Sequence, residues 1–378
     1  MEAAAKKDKL YGELSVIALQ SFEETAQKID RHLIRRHVNH VEFDHGDGPV
    51  PASYLLKARQ ERFSNGEGKV VLTESVRGKD VYILCDVGNY GCTYPMHGFE
   101  NHMGPDEHFQ DLKRTLSAIG GKARRMTVVM PLLYASRQDK RRSRESLDCA
   151  MALQELQSMG VKNILTFDVH NSAVQNAIPL VSFENMYANY NIIKALSIDE
   201  PKLFKNKEEL LVISPDTGGT ERAIYYATIM KAQVGIFYKR RDYSRVVNGK
   251  NPILDHEYMG EDVEGRNVLI VDDIIASGGS IMDLVFELKR RKVNKIYVAA
   301  TFALLTEGII EFQRCYEEGL ISRVYSTNLT YIPKYTQDAP WFRQVDMSGF
   351  IAKLIDTLNH SRSVAPLLDT TARMGRLF

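Results

Sequence analysis

The sequence predicts an α/β fold with two similar domains, each a parallel sheet flanked by helices. Short apolar runs rich in β-branched residues alternate with amphipathic runs of helical spacing, which is the pattern of strands joined by crossover helices. The alternation occurs in both halves of the 378 residues, and a chain of that length can form two cores. We expect an N-terminal domain at 1–185, a C-terminal domain at 186–335, and a helix and tail at 336–378 that pack on the body.

The composition is that of an ordinary globular protein and argues against several classes of function. Hydrophobic residues make up 44% and charged residues 26% of the chain, and the formal net charge is +1. This balance indicates no nucleic-acid partner, and no apolar run is long enough to span a membrane. The four cysteines lack metal-like pairing and the N-terminus lacks a secretory signal, so we expect a cytoplasmic protein.

In the first half, an apolar segment at 14–19 and a helix precede a strand that we predict at Val81–Cys85. The next stretch, Asp86–Asp111, combines aromatic and histidine residues with Gly and Pro. We predict an ordered, partly aromatic loop that contributes to an interface. The alternative is a zinc site whose spacing fits no standard pattern, with Cys85, Cys92, His97 and His102 as its ligands.

Two further predicted strands of the first half end in polar residues. Met126–Leu133 leads into a basic cluster at Ser136–Asp148, and Asn163–Phe167 leads to His170. The carboxyl ends of buried parallel strands lie at the edge where α/β folds bind ligands, which favours a binding role. The alternatives are a solvated basic face and a structural histidine.

In the second half, the apolar strand Val268–Val271 is followed by the adjacent carboxylates of Asp272 and Asp273. Next come the small residues Ser277–Ser280 and an amphipathic helix from Ile281. The glycines let the backbone approach a ligand, so that amides at a helix N-terminus can hold a phosphate. The carboxylates can accept hydrogen bonds from the hydroxyls of a sugar or face Mg²⁺. The alternative is an ordinary strand-to-helix turn in which the acids only cap the helix.

Together these motifs resemble those of the ribose-phosphate pyrophosphokinases, the synthetases of phosphoribosyl pyrophosphate (PRPP). The segment Asp272–Ser280 is similar to the ribose-5-phosphate loop that this family shares with type I phosphoribosyltransferases, although Ala276 stands where the family usually has Asp. Other similar motifs follow other predicted strands, at Arg137–Asp139, Asp168–His170 and Ser214–Asp216. The resemblance implies two domains of the phosphoribosyltransferase type.

The resemblance also implies substrates, a cofactor and roles for individual residues. Ribose 5-phosphate would be bound by Asp216, Asp272, Asp273, Ser277, Gly278, Gly279 and Ser280. ATP would be bound by Phe63, Asn65, Glu67, Arg137, Gln138, Asp139 and His170. The catalytic residues would be Arg222, His170 and Lys239, and Mg²⁺ would be bound by His170, Asp216 and Glu184. In the family, the loop matching 63–67 reaches the ATP of a neighbouring subunit, which implies a homo-oligomer (a dimer or hexamer) with a shared ATP site.

The activity implied by the resemblance is transfer of pyrophosphate from MgATP to the anomeric hydroxyl of ribose 5-phosphate, which gives PRPP and AMP. Three alternatives stay open. Ala276 and Glu184 motivate another acceptor, such as ADP-ribose. A phosphoribosyltransferase would not need the basic cluster or Asp168–His170. Glu221, where some family members carry Lys, motivates a catalytically inactive regulatory homologue.

Overall fold

The computed structural model describes residues 10–44, 49–141, 143–205, 209–241 and 253–368, without the side chains of 40–44, 239–241 and 253–256. The chain divides into two compact units. Unit 1 comprises the described residues of Met1–Tyr187, Asn328–Tyr331 and Asp346–Asp369. Unit 2 comprises those of Ala188–Thr327 and Ile332–Val345. In the described part of the chain, no helix combines the length and apolarity needed to cross a lipid bilayer.

Unit 1 is built on a five-stranded parallel sheet with the strand order β1-β4-β7-β8-β9. These strands are β1 (Leu14–Ala18), β4 (Asp80–Leu84), β7 (Arg125–Val129), β8 (Asn163–Phe167) and β9 (Ser182–Met186). Two antiparallel hairpins accompany the sheet, β2 (Ala58–Arg62) with β3 (Gly68–Leu72) and β5 (Thr93–Met96) with β6 (Phe99–His102). The helices are α1 (Glu23–Asp44), α2 (Pro105–Ile119), α3 (Asp148–Ser158), α9 (Ser348–Asn359) and α10 (Ala365–Leu368).

The central strands of unit 1 are apolar because helices and loops cover them. All five residues of β4 and of β8 are buried, as expected for strands in the interior of a parallel sheet. Their side chains form a core with α2 and α3, in which Ile83, Leu112, Val128 and Leu153 are fully excluded from solvent. The sequence prediction of an α/β fold with parallel sheets is confirmed.

Helix α9 belongs to unit 1, although about 160 residues lie between it and β9, the last strand of that unit's sheet. It packs against α1. Its last residue, Asn359, donates a hydrogen bond of 2.9 Å from Nδ2 to Oδ2 of the buried Asp80. Arg125 Nε lies 2.8 Å from the other carboxylate oxygen of Asp80, so the buried charge is paired. The sequence analysis had assigned this helix to a separate segment at 336–378.

The segment Asp86–Asp111 is largely regular structure, so the prediction of a loop was wrong, while its contribution to an interface stays a prediction. It contains the hairpin β5–β6 and the first residues of α2. The hairpin closes through His97 and Gly98, which both have positive φ angles (54° and 78°), as two-residue hairpin turns require. The sequence analysis did not recognise the turn because its first residue, His97, is not a glycine.

Unit 2 is built on a seven-stranded sheet with the order β12-β11-β10-β13-β14-β15-β16, parallel except where β12 joins β11. The strands are β10 (Leu210–Ser214), β11 (Gln233–Arg241), β12 (Ile253–Met259), β13 (Asn267–Ile275), β14 (Ile296–Ala303), β15 (Arg323–Thr327) and β16 (Phe342–Val345). The helices are α4 (Asn189–Asp199), α5 (Thr220–Met230), α6 (Gly279–Arg290), α7 (Ile310–Glu317) and α8 (Lys334–Gln337). Their apolar sides contribute to a second core.

Candidate active site

Asp272 and Asp273 lie within β13 rather than after it, which corrects the sequence prediction that the strand ends at Val271. On one side, β14 continues alongside, and Asp272 is opposite Ala300. On the other side, β10 pairs with β13 only as far as Ile270. The two carboxylates therefore stand on a stretch of strand with a neighbour on one side only, at the carboxyl end of the sheet, where α/β folds bind ligands.

The two carboxylates are adjacent, and Asp273 is buried while the side chain of Asp272 is 25% exposed. Asp272 Oδ1 accepts a hydrogen bond from the backbone N–H of Asp273 (2.9 Å), and Asp273 Oδ1 accepts one from Ile274 (3.0 Å). Burial, followed by the neighbouring Asp273 carboxylate, raises the pKa of Asp272 well above its usual value. An arrangement that disfavours negative charge in this way favours bound hydroxyl donors or a cation.

Arg222 is the cation that the structure brings to this pair. It lies in the first turn of α5, with Nη1 3.8 Å from Asp272 Oδ1, and its side chain is 13% exposed. The guanidinium lowers the pKa of Asp272 and so partly offsets the effect of burial. The structure thus brings together Arg222, which the sequence analysis named as a catalytic residue, and Asp272, which it named as a ribose-phosphate ligand.

Asp216 shapes the loop that carries Arg222. Its Oδ1 accepts the backbone N–H groups of Gly218 (2.8 Å) and Gly219 (3.0 Å), and Ser214 Oγ donates to its carbonyl oxygen (2.7 Å). A Cβ on Gly219 would lie 2.7 Å from Ser214 Oγ and 3.6 Å from Arg222 Nη1, so the loop is closely packed at that point. The sequence analysis included Ser214 in a motif but assigned it no role in the site.

The segment Ser277–Ser280 joins β13 to the N-terminus of α6. Gly278 has φ +94° and precedes the helix without a side-chain cap, and the backbone N–H of Gly279 donates a long hydrogen bond of 3.4 Å to Ser277 Oγ. A twelve-residue helix thus begins here without a side-chain cap, an arrangement that suits an anion. The structure adds a packing reason for Gly278, because a Cβ there would lie 2.5 Å from Cε2 of Phe312 on α7.

In unit 1, the loops after β7 and β8 meet. Asp139 Oδ2 accepts a hydrogen bond of 2.6 Å from Asn171 Nδ2, and Asn171 directly follows the exposed His170. Gln138 Nε2 donates to the carbonyl oxygen of Ser146 across the basic loop (2.7 Å). The sequence analysis did not assign Asn171 a role, although its place beside His170 was a usable signal.

Backbone strain accompanies both of these loops. Ala135 before the basic loop and Asp168 before His170 have positive φ angles of 53° and 44°. Non-glycine residues in this region cost about 1–3 kcal/mol, and they concentrate at functional sites. The N–H of Asp168 is held by the carbonyl oxygen of Met186 at 2.8 Å, so the neighbouring strand supports the strained turn. Arg137, which lies between Ala135 and Asp168 in the chain, is exposed.

The predicted metal ligands are not gathered into a cluster. Within the described ranges, no group of three or more His, Cys, Asp and Glu side chains is arranged to hold a metal ion. Glu184 lies on β9, and its Oε1 accepts a hydrogen bond from Ser182 Oγ (2.9 Å). Lys239 lies in β11, and its side chain is outside the described part of the structure.

The turn with Phe63, Asn65 and Glu67 connects β2 and β3. All three residues are exposed, and Phe63 has 54% of its surface in solvent. The turn is closed by hydrogen bonds from Phe63 N–H to the Glu67 carbonyl oxygen (2.8 Å) and from Gly66 N–H to the Phe63 carbonyl oxygen (2.9 Å). An exposed aromatic ring on a well-defined turn is available to stack on a planar ligand.

Comparison with known protein families assigns both halves of the chain. Residues 14–160 match the N-terminal domain of ribose phosphate pyrophosphokinase, and residues 183–308 match the phosphoribosyl transferase domain. The ribose-phosphate pyrophosphokinase of Ralstonia nicotianae is 31% identical over 258 residues, which are 67% of this chain and 72% of that protein. Ribose-phosphate pyrophosphokinase A of Dictyostelium discoideum is 26% identical over 319 residues, 84% of this chain and 91% of the relative.

A solved structure has the same fold. The crystal structure of phosphoribosylpyrophosphate synthetase from Mycobacterium smegmatis matches with a TM-score of 0.71 and 21% sequence identity. The match covers 92% of this chain and 99% of that chain. At this identity the similarity supports the fold, and the two family matches support the phosphoribosyltransferase type of the domains.

Proposed function

The chain belongs to the ribose-phosphate pyrophosphokinase family, and from this premise we propose how its residues act. The reaction is transfer of the pyrophosphoryl group of MgATP to the anomeric hydroxyl of ribose 5-phosphate, with PRPP and AMP as products. The observation that carries the assignment of residues is the grouping of Asp272, Asp273 and Arg222 at the open end of β13, followed by the uncapped N-terminus of α6.

Ribose 5-phosphate binds in unit 2. Its phosphate accepts hydrogen bonds from the amides of Ser277–Ser280, where the helix dipole favours negative charge. Its hydroxyl groups donate to Asp272 and Asp273, whose burial makes added donors favourable. Asp216 shapes the adjacent loop through its Oδ1 and contributes a carboxylate to the same substrate.

MgATP binds through residues of unit 1. Arg137 pairs with phosphate oxygens, while Gln138, Asp139 and His170 line the same loops after β7 and β8. Phe63, Asn65 and Glu67 contact the adenine of ATP bound to a neighbouring subunit of a homo-oligomer. Mg²⁺ arrives with the nucleotide as part of the substrate complex.

The donors named for the metal fit Mg²⁺ in part. Mg²⁺ prefers oxygen ligands, which Asp216 and Glu184 can supply. The imidazole of His170 is better suited to contact the nucleotide or a metal-bound water. Four buried cysteines, all free thiols, support a reducing compartment, and we place the protein in the cytoplasm.

The chemistry needs positioning and charge neutralisation rather than a protein nucleophile. The anomeric oxygen attacks the β-phosphorus, the bond from that phosphorus to the α–β bridging oxygen breaks, and AMP leaves with the bridging oxygen. The hydroxyl proton is released. Arg222, and Lys239 from β11, stabilise the negative charge that the moving group carries in the transition state.

The test is AMP release by purified protein supplied with MgATP, with and without ribose 5-phosphate, with both products identified by mass. We expect AMP and PRPP in equal amounts and only with the sugar. The variant Asp272→Asn/Asp273→Asn should lose turnover and remain folded, whereas Asp283→Asn, an exposed carboxylate on α6, should retain it. Two results would refute the proposal. One is AMP release when ADP-ribose is the acceptor but not when ribose 5-phosphate is, and the other is no AMP release with any acceptor.

A further inference from the structure

The turn that connects β2 and β3 belongs to a hairpin whose second strand packs on α2. Its two strands form a separate two-stranded sheet, and such hairpins are only marginally stable in isolation. Phe63, Asn65 and Glu67, at the turn, are exposed. A nucleotide-binding role for these residues therefore depends on contacts that hold the tip of the turn in place.

The hairpin β5–β6 supplies that support. Gly66, at the centre of the turn, has φ +88°, and a Cβ there would lie 2.9 Å from Sδ of Met96 and 3.7 Å from Cε2 of Tyr94. The backbone of the turn thus rests directly on the side chain of Met96. The backbone angle favours glycine at position 66, and the absence of a side chain lets the turn approach Met96 closely.

The base of the turn is tied to the same hairpin. The guanidinium of Arg62, the last residue of β2, lies 5.5 Å from the centroid of the Tyr94 ring. The same guanidinium donates two hydrogen bonds, of 2.8 and 2.6 Å, to the carboxylate of the buried Asp111 on α2. Arg114 pairs with Asp111 as well, so Arg62 is held in a fixed orientation over the ring.

The hairpin itself is anchored, so it can hold another element. Asn101 Nδ2 donates to the carbonyl oxygens of Met96 (3.1 Å) and Phe99 (3.0 Å) across the turn. Tyr94 Oη is 3.5 Å from Oε1 of Glu107 on α2, whose other carboxylate oxygen accepts the N–H of Gly104 at 2.6 Å. The hairpin that carries Met96 is thereby connected to α2.

We propose that the hairpin β5–β6 is a positioning element for the nucleotide, with Met96 and Tyr94 as positioning residues that hold the Phe63–Glu67 turn. This inference rests on the proposed function, because it takes the turn to be the adenine-binding element. It gives a role to the hairpin within Asp86–Asp111, a segment for which the sequence analysis predicted only a contribution to an interface. Neither residue touches the reacting atoms, so the effect falls on the affinity for ATP.

The test compares three variants of the full-length protein. Met96→Ala removes the support, Met96→Leu conserves its volume, and Glu100→Ala changes an exposed residue of the same hairpin. In Met96→Ala we expect KM for ATP and the dissociation constant of MgATP, measured by calorimetry, to rise about tenfold, which is about 1.4 kcal/mol. The kcat and the KM for ribose 5-phosphate should change less than about twofold. Met96→Leu and Glu100→Ala should behave as the parent protein.

Several results would overturn the inference. They are an unchanged affinity for MgATP in Met96→Ala, an equal loss in Glu100→Ala, or a loss in Met96→Ala that falls equally on kcat and on both substrates. The last result would indicate general damage to the fold. If the parent protein bound MgATP but formed no PRPP, the proposed function would fail, while the binding measurement would still decide the role of the hairpin.

Discussion

Gly278 is the residue of the Ser277–Ser280 segment at which a side chain is hardest to accommodate, so Gly278→Ala tests the geometry of the loop. Two costs apply. The backbone angles, φ +94° and ψ −15°, disfavour an L residue by about 1–2 kcal/mol. The new Cβ would also lie 2.5 and 2.9 Å from two ring carbons of Phe312, an overlap that costs about 1–3 kcal/mol.

The expected loss is therefore about 2–5 kcal/mol in the free energy of unfolding of unit 2. The single tryptophan provides the assay, because Trp341 is buried in unit 2 and stacks on Phe312 with ring centroids 5.3 Å apart. Urea unfolding followed by tryptophan fluorescence reports on this packing directly. The KM for ribose 5-phosphate should rise as well, because a displaced loop misaligns the amides that face the phosphate.

Gly279→Ala is the matched control. Its Cβ would meet nothing closer than Ser277 Oγ at 3.8 Å, and position 279 opens a helix, so stability should be kept or slightly raised. In a double-mutant cycle, Phe312→Ala should cost less in the Gly278→Ala background than in the parent, by about 1–3 kcal/mol. If Gly278→Ala unfolds at the same urea concentration as Gly279→Ala, the reasoning from strain and overlap is refuted.

Two further predictions concern charged groups. Arg222→Ala should lower kcat about 100-fold because it removes a cation beside the reacting groups. Arg222→Lys should restore part of the rate because it keeps the positive charge. An equal kcat in the parent protein and both variants would contradict this role. Burial raises the pKa of Asp86 from 3.8 to about 7. A carboxyl with a raised folded-state pKa stabilises fully below its unfolded pKa, so stability should fall by up to about 4 kcal/mol as the pH rises from about 4 to 7. Asp86→Asn should flatten this fall in urea titrations followed by circular dichroism, and identical pH profiles for the two proteins would rule out Asp86 as the source.

The sequence was informative where a short-range pattern determines the structure. The run at Asn163–Phe167 is a strand with the predicted bounds, because a strand buried on both faces is composed mainly of apolar residues. The amphipathic run after Ser280 is likewise a helix. Because the polar loops follow the carboxyl ends of the predicted strands, the strand predictions also indicate the edge of each sheet at which the polar loops lie.

What the sequence did not reveal depends on contacts between distant residues. Polar Asp272 and Asp273 gave no sign that β13 continues, because only the neighbouring strand β14 extends the ladder. The pairing of Asp139 with Asn171 and the packing of Phe312 on Gly278 likewise join segments more than 30 residues apart. No local period encodes such contacts.

The most direct test of the account follows the β-phosphorus of ATP. Purified protein is incubated with ribose 5-phosphate and MgATP that carries a radioactive β-phosphorus, and the products are separated. The account predicts that all of the transferred label appears in PRPP, that the AMP formed is unlabelled, and that Asp272→Asn/Asp273→Asn transfers none. Label in ADP or in inorganic phosphate, without labelled PRPP, would contradict pyrophosphoryl transfer to the sugar.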